Sequence, residues 1–191
     1  MVRHAAHGLL GKVLTGRMAG VPLSAEGVGQ AKALGEWFTG MRVAAVLSSP
    51  VQRARETAAA IAEATGLTVT VEAGLDEIDF GEWTGSTFAA LEEQAAWSEW
   101  NRHRGSAACP GGETMRAAQA RAVAAVLRAG QAFAGENIVM VSHQDVLKAV
   151  LAHFLGIALD DLERFSLDPA SRSVVSLSDG WARVEAVNHE P

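Results

Sequence analysis

The residues in this sequence that could perform chemistry begin with an arginine and a histidine side by side, almost at the first methionine. Arg3 carries a planar, permanently charged group whose geometry suits phosphate oxygens. His4 carries an imidazole that can act as a nucleophile and proton carrier near neutral pH. Phosphoryl transfer through a histidine also needs cations for the phosphoryl oxygens and an acid for the leaving alkoxide. The rest of the chain must therefore supply further cations and a carboxylate.

Three residues from distant parts of the chain can supply these groups. Arg53 lies at the start of a predicted helix after Ser48-Ser49-Pro50, where the positive end of the helix adds to its charge. His143 follows an apolar run and can donate a hydrogen bond to the same phosphate. Glu77 is the candidate acid, because partial burial of its loop would raise its pKa toward working pH. The competing carboxylates are Asp76, Asp79 and Glu82.

Strands alternate with helices along most of the chain, which predicts an α/β sandwich with a largely parallel sheet and an antiparallel ending. Strands are predicted at 43–47, 67–71, 138–141, 173–177 and 182–187, and helices from Ser24 through Phe38 and at 51–65, 113–133 and 146–155. Val28, Ala31, Leu34 and Phe38 are expected on the buried face of the first helix, and Asp179-Gly180 predicts a hairpin turn. Ligands collect beyond the carboxyl ends of parallel strands, so Arg3-His4 and Ser142-His143 are expected to converge at one sheet edge.

Length, composition and charge bound the class of protein. The 191 residues fit one domain, 1–191, and the 49% apolar and 20% charged fractions are ordinary for a globular chain. The net charge of −6 argues against nonspecific nucleic-acid binding. A single cysteine, Cys109, excludes an intramolecular disulfide. No apolar run approaches the ~20 residues of a membrane span, and the start lacks a leader-like pattern. A cytoplasmic, soluble protein is therefore expected.

The pattern changes over about 78–112, which is interpreted as a lid-like insertion within the single domain. Its tryptophans, Trp83, Trp97 and Trp100, are expected to form the core of this segment rather than to stack on a substrate. Arg102-His103-Arg104 is expected to be a solvated cluster, with a second anion site as the alternative. Leaving-group specificity is assigned to this segment.

Five segments occur in one order: Arg3-His4, the run from Ser48 to Ala58, Leu75-Asp76-Glu77 with Gly81 to Gly85, Gly111-Gly112-Glu113, and Val141-Ser142-His143. Together they resemble the histidine phosphatase superfamily and its phosphoglycerate-mutase-like fold, a three-layer α/β sandwich with a mostly parallel mixed sheet. The resemblance covers the chain to about Gly156. It implies a phosphohistidine on His4, a phosphate pocket of Arg3, Arg53 and His143, and Glu77 as proton donor. It also implies that no metal or cofactor is required, and the family often forms homodimers.

The loop after His4 departs from the family pattern. Ala5 replaces the usual glycine, His7 replaces a threonine, and Leu10 replaces an asparagine. Arg17 or Lys12 is expected to take over the lost contacts to the substrate phosphate. His4 and His7 could also ligate zinc, but no accompanying helical metal motif is present, so no metal site is expected.

The leading hypothesis is a metal-independent phosphatase that hydrolyses a small phosphomonoester. A phosphoglycerate mutase would use the same residues but must retain and return the phosphoryl group. The third hypothesis is a noncatalytic module that binds a phosphorylated ligand, which the loss of the usual polar pair at His7 and Leu10 would allow.

Overall fold

The computed structural model describes residues 1–178 and 180–190, which form a six-stranded sheet flanked by helices. The strands are β1 (Val2–Arg3), β2 (Ala45–Ser48), β3 (Val69–Val71), β4 (Ile138–Ser142), β5 (Arg172–Ser178) and β6 (Trp181–His189), and the helices are α1 (Ala25–Phe38), α2 (Gln52–Thr65), α3 (Phe88–Glu92), α4 (Ala95–Arg102), α5 (Met115–Ala132) and α6 (Gln144–Leu155). The sheet order is β3-β2-β4-β1-β5-β6. The first four of these are parallel, and β5 and β6 pair antiparallel. The predicted α/β architecture is therefore confirmed.

The two faces of the sheet are covered by different helices, as a strand buried on both sides requires. Val139 and Val141 of β4 pack in one apolar cluster with residues of α1 and α2. Met140, between them, faces a second cluster that contains residues of α5 and α6. The layers follow from this alternation, because successive side chains of a strand point to opposite faces.

The helix ends agree with the capping signals in the sequence. The Ser24 hydroxyl accepts a hydrogen bond from the backbone N–H of Gly27 and begins α1. Gly66 and Gly156 end α2 and α6 in the left-handed conformation, with φ of 70° and 68°. Asp179 lies outside the described residues, so the hairpin turn stays a prediction, although Ser178 and Trp181 on either side of it are paired.

The prediction is wrong for one residue of the expected buried face of α1. Val28 is 59% exposed, whereas Gly27 and Gly35 are buried with Ala31. The glycines lie inward because the α1 backbone approaches its neighbours closely: a Cβ on Gly27 would lie 1.9 Å from the Ala6 carbonyl oxygen. Close backbone packing at Gly27 and Gly35 therefore sets the orientation of α1 together with burial of Ala31, Leu34 and Phe38.

The segment 78–112 contributes to the same apolar core as the sheet. Trp83 and Trp100 are buried in a cluster that includes Leu47 and Met140. Trp97 packs edge-on against Trp83 with a centroid separation of 5.3 Å. The tryptophans pack with one another as expected, and a lid function for this segment stays a prediction. None of the described helices is long and apolar enough to cross a membrane.

The expectation that Arg104 is solvated is wrong. Its side chain is buried, and a guanidinium nitrogen lies 2.7 Å from an Asp145 carboxylate oxygen in the first turn of α6. The guanidinium also lies 5.9 Å from the centre of the Trp100 ring. The partner is 41 positions away in sequence, so the local charge cluster gave no sign of this ion pair.

Gly27→Ala is expected to destabilise the protein by about 1–3 kcal/mol, because a methyl group would collide with the backbone after His4. Gly29→Ala is the matched control in the same helix, since nothing lies within 4 Å of its added Cβ. That control is expected to stabilise by about 0.5–1 kcal/mol through helix propensity. Urea unfolding of both variants measures the difference, and equal stabilities would contradict the close contact.

Candidate active site

The sequence-predicted residues meet at the carboxyl ends of β1, β2 and β4. The backbone N–H of His4 donates to the Ser142 carbonyl at 2.9 Å, and that of Ser49 donates to the Val141 carbonyl at 2.9 Å. These bonds hold the three strand ends in register. A pocket of ≈ 140 Å³ opens at this edge. Its lining comprises Arg3, His4, His7, Leu10, Gly11, Val13, Leu14, Thr15, Gly16, Arg53, Glu77, Phe80, Phe88, Gln144 and Asp145.

The hydrogen bonds of His4 fix the position of its ring proton. Its Nδ1 lies 2.8 Å from the Ala5 carbonyl oxygen, which can only accept, so Nδ1 carries the hydrogen. The Arg53 Nε–H, which can only donate, lies 3.1 Å from Nε2. Burial, reinforced by the Arg53 charge, holds the pKa of His4 well below its usual value. The ring is therefore neutral, with its lone pair on Nε2.

Arg53 joins the other groups of the site through one guanidinium. It is 1% exposed, and its Nη2 donates to the Gly16 carbonyl at 2.8 Å. The same nitrogen lies 3.2 Å from Nδ1 of His143 and 3.6 Å from a carboxylate oxygen of Glu77. Its Nη1 is buried and has no hydrogen-bond partner in the described part of the chain. Arg53, which lines the pocket, thus has Nη1 without a partner among the described residues, while Nε and Nη2 are held.

Arg3 is the second buried cation of the pocket. One of its terminal nitrogens donates to the Leu167 carbonyl, and its Nε has no partner among residues 1–178 and 180–190. Burial lowers the pKa of Arg3, and the charges of the nearby carboxylates oppose this shift. The local field around His4 is therefore positive although the whole chain carries −6.

His143 is fully buried behind Arg53 and is not in the pocket lining. Since Arg53 donates to its Nδ1, the ring hydrogen lies on Nε2 and faces the Ser49 hydroxyl at 2.8 Å. Burial and the neighbouring His4 hold the pKa of His143 well below its usual value. In this state the ring orients Arg53, and the expected donation to a phosphate stays a prediction.

Glu77 lines the pocket together with one other described carboxylate, Asp145, which is paired with Arg104. The Oε2 atom of Glu77 lies 3.3 Å from Nδ1 of His143, and the Glu77 side chain is 12% exposed. Burial raises the pKa of Glu77 from 4.5 to about 7; the Arg53 charge opposes this rise and the Asp145 charge adds to it. A carboxyl group with this pKa can both give and take a proton near neutral pH.

Arg17, predicted to bind substrate, lies outside the pocket lining. Its guanidinium donates to the Glu77 backbone carbonyl at 2.7 Å, and it pairs with three carboxylates. These are Asp76 at 3.2 Å, Asp79 at 3.6 Å and Glu113 at 3.2 Å. Two of the three competitors of Glu77 are thereby paired with Arg17. Lys12, the other candidate, is exposed and does not line the pocket either.

Sequence reasoning missed Arg121, which holds the Glu77 loop from α5. Its guanidinium donates to the backbone carbonyls of Gly74, Asp76 and Glu77 at 2.9, 2.7 and 3.0 Å. It also bonds the Glu113 carboxylate at 2.7 Å. The only signal available was a cation on a predicted amphipathic helix, because its loop partners lie 44 or more positions away. In the described part of the chain, no group of three or more His, Cys, Asp or Glu side chains is placed to hold a metal ion.

Comparison with known proteins identifies the family. Residues 1–190 match the model of the histidine phosphatase superfamily (branch 1), and the chain belongs to this superfamily. The predicted family and fold are confirmed.

Named relatives agree with this assignment. The chain is 37% identical over 149 residues to the bifunctional protein Rv2228c of Mycobacterium tuberculosis, a match that covers 76% of this chain but only 41% of that protein. It is 28% identical over 172 residues to the adenosylcobalamin/alpha-ribazole phosphatase of Escherichia coli, covering 89% of this chain and 85% of that one. Among solved structures, YhfR of Bacillus stearothermophilus superimposes with a TM-score of 0.93 at 25% identity, covering 98% and 95% of the two chains.

The raised pKa of Glu77 has a measurable effect on stability. The folded protein keeps a proton on Glu77 that the unfolded chain loses between about pH 4.5 and 7, so this group makes the free energy of unfolding fall as pH rises through that window. Glu77→Gln removes the titration. We compare the free energy of unfolding of the variant with that of the native protein at each pH. This difference is expected to shift in favour of the variant by roughly 3 kcal/mol as pH rises through the window. Urea unfolding over this pH range measures the difference, with exposed Glu82→Gln as the charge control; a pH-independent difference would contradict the buried carboxyl.

Proposed function

We propose that this protein is a metal-independent phosphatase that hydrolyses a small phosphomonoester through a phosphohistidine on His4. The observation that carries the proposal is the neutral His4 ring with its lone pair on Nε2, set between Arg3 and Arg53. Each of these arginines has a buried nitrogen without a partner in the described residues, Nε of Arg3 and Nη1 of Arg53. A phosphoryl group has the charge and the acceptor oxygens that such a site requires.

In the first step the Arg53 Nε–H releases Nε2 of His4, and the freed lone pair attacks phosphorus, in line with the bond to the leaving oxygen. The nitrogen–phosphorus bond forms as the phosphorus–oxygen bond breaks. Arg3 and Arg53 bind the phosphoryl oxygens and stabilise their charge in the transition state. Glu77, protonated in part of the molecules near neutral pH, gives its proton to the leaving alkoxide. The products of this step are an alcohol and a phosphohistidine.

In the second step water attacks the phosphohistidine. The Glu77 carboxylate takes a proton from the water, the nitrogen–phosphorus bond breaks, and inorganic phosphate leaves. The His4 ring recovers its lone pair and the Glu77 carboxyl recovers its proton. The cycle is balanced without a redox or metal cofactor.

His143 and Arg17 act in different places in this scheme. His143 positions Arg53 in the ligand-free protein, and it can donate to phosphate only if Nδ1 gains a proton, for which Glu77 is 3.3 Å away. Arg17 positions the backbone of Glu77, because its contacts are to that carbonyl and to the surrounding acids. We therefore propose that Arg17 supports the loop that carries Glu77 and does not bind substrate.

The pocket walls beyond the phosphate site favour hydrolysis of an ester with an apolar leaving group. Leu10, Val13, Leu14, Phe80 and Phe88 line this part, and Asp145 adds a carboxylate. Among the described lining residues, the Lys and Arg side chains are only the two arginines beside His4. A phosphoglycerate mutase would have to bind a further carboxylate here, so this lining disfavours that alternative. Similarity to relatives that are named as phosphatases, such as the adenosylcobalamin/alpha-ribazole phosphatase of Escherichia coli, also supports hydrolysis. The cytoplasmic location and a homodimer stay predictions.

His4→Ala is expected to lower turnover of a phosphomonoester by more than roughly 10³-fold, because the nucleophile is lost. His153→Ala, an exposed histidine on α6, is the control and is expected to keep full activity. Brief incubation with radiolabelled substrate should trap acid-labile, base-stable label on the native protein and none on the His4 variant. Full turnover by the variant would overturn the assignment, and binding without trapped label or turnover would favour the noncatalytic module.

Glu77→Gln is expected to lower kcat/KM for alkyl phosphates by roughly 10²–10³-fold, since a poor leaving group needs a proton. The loss should be much smaller for 4-nitrophenyl phosphate, whose phenolate leaves without one. With the native protein, kcat/KM for alkyl phosphates should fall above about pH 7, and the variant should lose this dependence. Glu82→Gln, an exposed acid outside the pocket, is the control. Equal losses for both leaving groups would rule out proton donation by Glu77.

A further inference from the structure

The ring of His7 lines the pocket three residues after the nucleophile, and the mechanism above does not use it. It is 6% exposed, and its centre lies 5.6 Å from the centre of the His4 ring. The backbone around it is fixed: its carbonyl accepts a hydrogen bond from Leu10 at 3.1 Å, and it forms an antiparallel bridge with Leu23. The loop therefore holds this ring against the pocket.

The Nδ1 atom of His7 is buried and has no hydrogen-bond partner in the described residues. Leaving such a group unpaired costs about 1–3 kcal/mol, so a folded protein rarely keeps one without a use. The same condition holds for Nε of Arg3 and Nη1 of Arg53, which line the same pocket. Three unpartnered nitrogens thus belong to three residues that line the pocket together with His4. An oxyanion can accept hydrogen bonds from both arginines and, with the ring hydrogen of His7 on Nδ1, from His7 as well.

We propose that His7 is a substrate-binding residue that donates an uncharged hydrogen bond to a phosphoryl oxygen. This inference deepens the proposed phosphatase function and rests on it. It assigns to His7 the polar contact that Leu10, at the position of the family's asparagine, cannot make. Arg17 and Lys12, the other candidates for this contact, lie outside the pocket lining.

The charges around His7 agree with an uncharged donor. Burial, followed by the Arg53 and Arg3 charges, lowers the pKa of His7 to about 4. The ring is therefore neutral near pH 7 and carries one N–H. A third cation beside the two arginines would raise the cost of the site before phosphate binds, whereas a neutral imidazole adds a donor without that repulsion.

Two variants separate binding from structure. His7→Phe keeps the ring volume and removes both nitrogens, and His7→Gln keeps an N–H donor. We expect the Phe variant to weaken binding of inorganic phosphate and of orthovanadate, and to lower kcat/KM for 4-nitrophenyl phosphate, by about 10- to 100-fold, as for a hydrogen bond to a charged group. We expect the Gln variant to recover most of this loss. The anion-free Phe variant should melt no lower than the native protein, because an unpaired buried polar atom has been removed.

The outcomes decide the inference separately from the proposed function. Native-like phosphate affinity in the Phe variant would overturn it, and so would a loss of affinity that the Gln variant does not recover. A lower anion-free melting temperature in both variants would assign His7 a structural role and overturn it as well. Phosphate and orthovanadate binding needs no turnover, so a His7-dependent affinity in a protein without phosphatase activity would reject the proposed function alone. Activity that depends on His4 with no effect at His7 would reject only this inference.

Discussion

The buried guanidinium of Arg53 is the interaction on which the rest of the site depends. It donates hydrogen bonds to His4, His143 and the Gly16 carbonyl, and it lies 3.6 Å from Glu77. A buried cation is costly unless its surroundings compensate it, so these partners cannot move independently. One planar group thus couples the ends of β1 and β4, the start of α2 and the loop that carries Glu77. The position of His4 follows from its Arg53 contact together with its backbone bond to Ser142 and its ring contact to the Ala5 carbonyl.

Two other arginines, Arg17 and Arg121, hold the loop that carries Glu77 and do not line the pocket. They bind the backbone of this loop and the carboxylates that surround it. Asp76, Asp79 and Glu113 are paired in this outer layer. Asp145 in the pocket is paired with Arg104, whereas Glu77 lies 3.6 Å from Arg53. Desolvation can then keep the pKa of Glu77 near 7 despite the nearby Arg53 charge. The protein therefore separates the cations that hold the loop from the two arginines that line the pocket, Arg3 and Arg53.

Much of the fold and of the site could be predicted from local sequence. Cap residues, such as Ser24 and Gly66, act within a few positions. The sheet topology brings strand ends together, so the meeting of Arg3, His4, Arg53 and Glu77 could be predicted, whereas their roles stay proposals. Individual side-chain ion pairs between distant segments could not be predicted. Arg17 reaches Glu113 across 96 positions, and the pairing of Arg104 with Asp145 depends on how the segment 78–112 folds against α6. Val28 was misplaced for a related reason, because backbone approach at Gly27 leaves no trace in an apolar pattern.

The unpartnered nitrogens around His4 have a practical consequence. The ligand-free protein gives up stability at the pocket, and an anion that fills it returns that stability. Inorganic phosphate, the product of the proposed reaction, is such an anion. In a phosphate buffer it would raise the melting temperature while competing with the substrate, so that a preparation looks more robust and less active at once. Solution work on this protein therefore belongs in buffers free of oxyanions, and accumulating product would slow long assays.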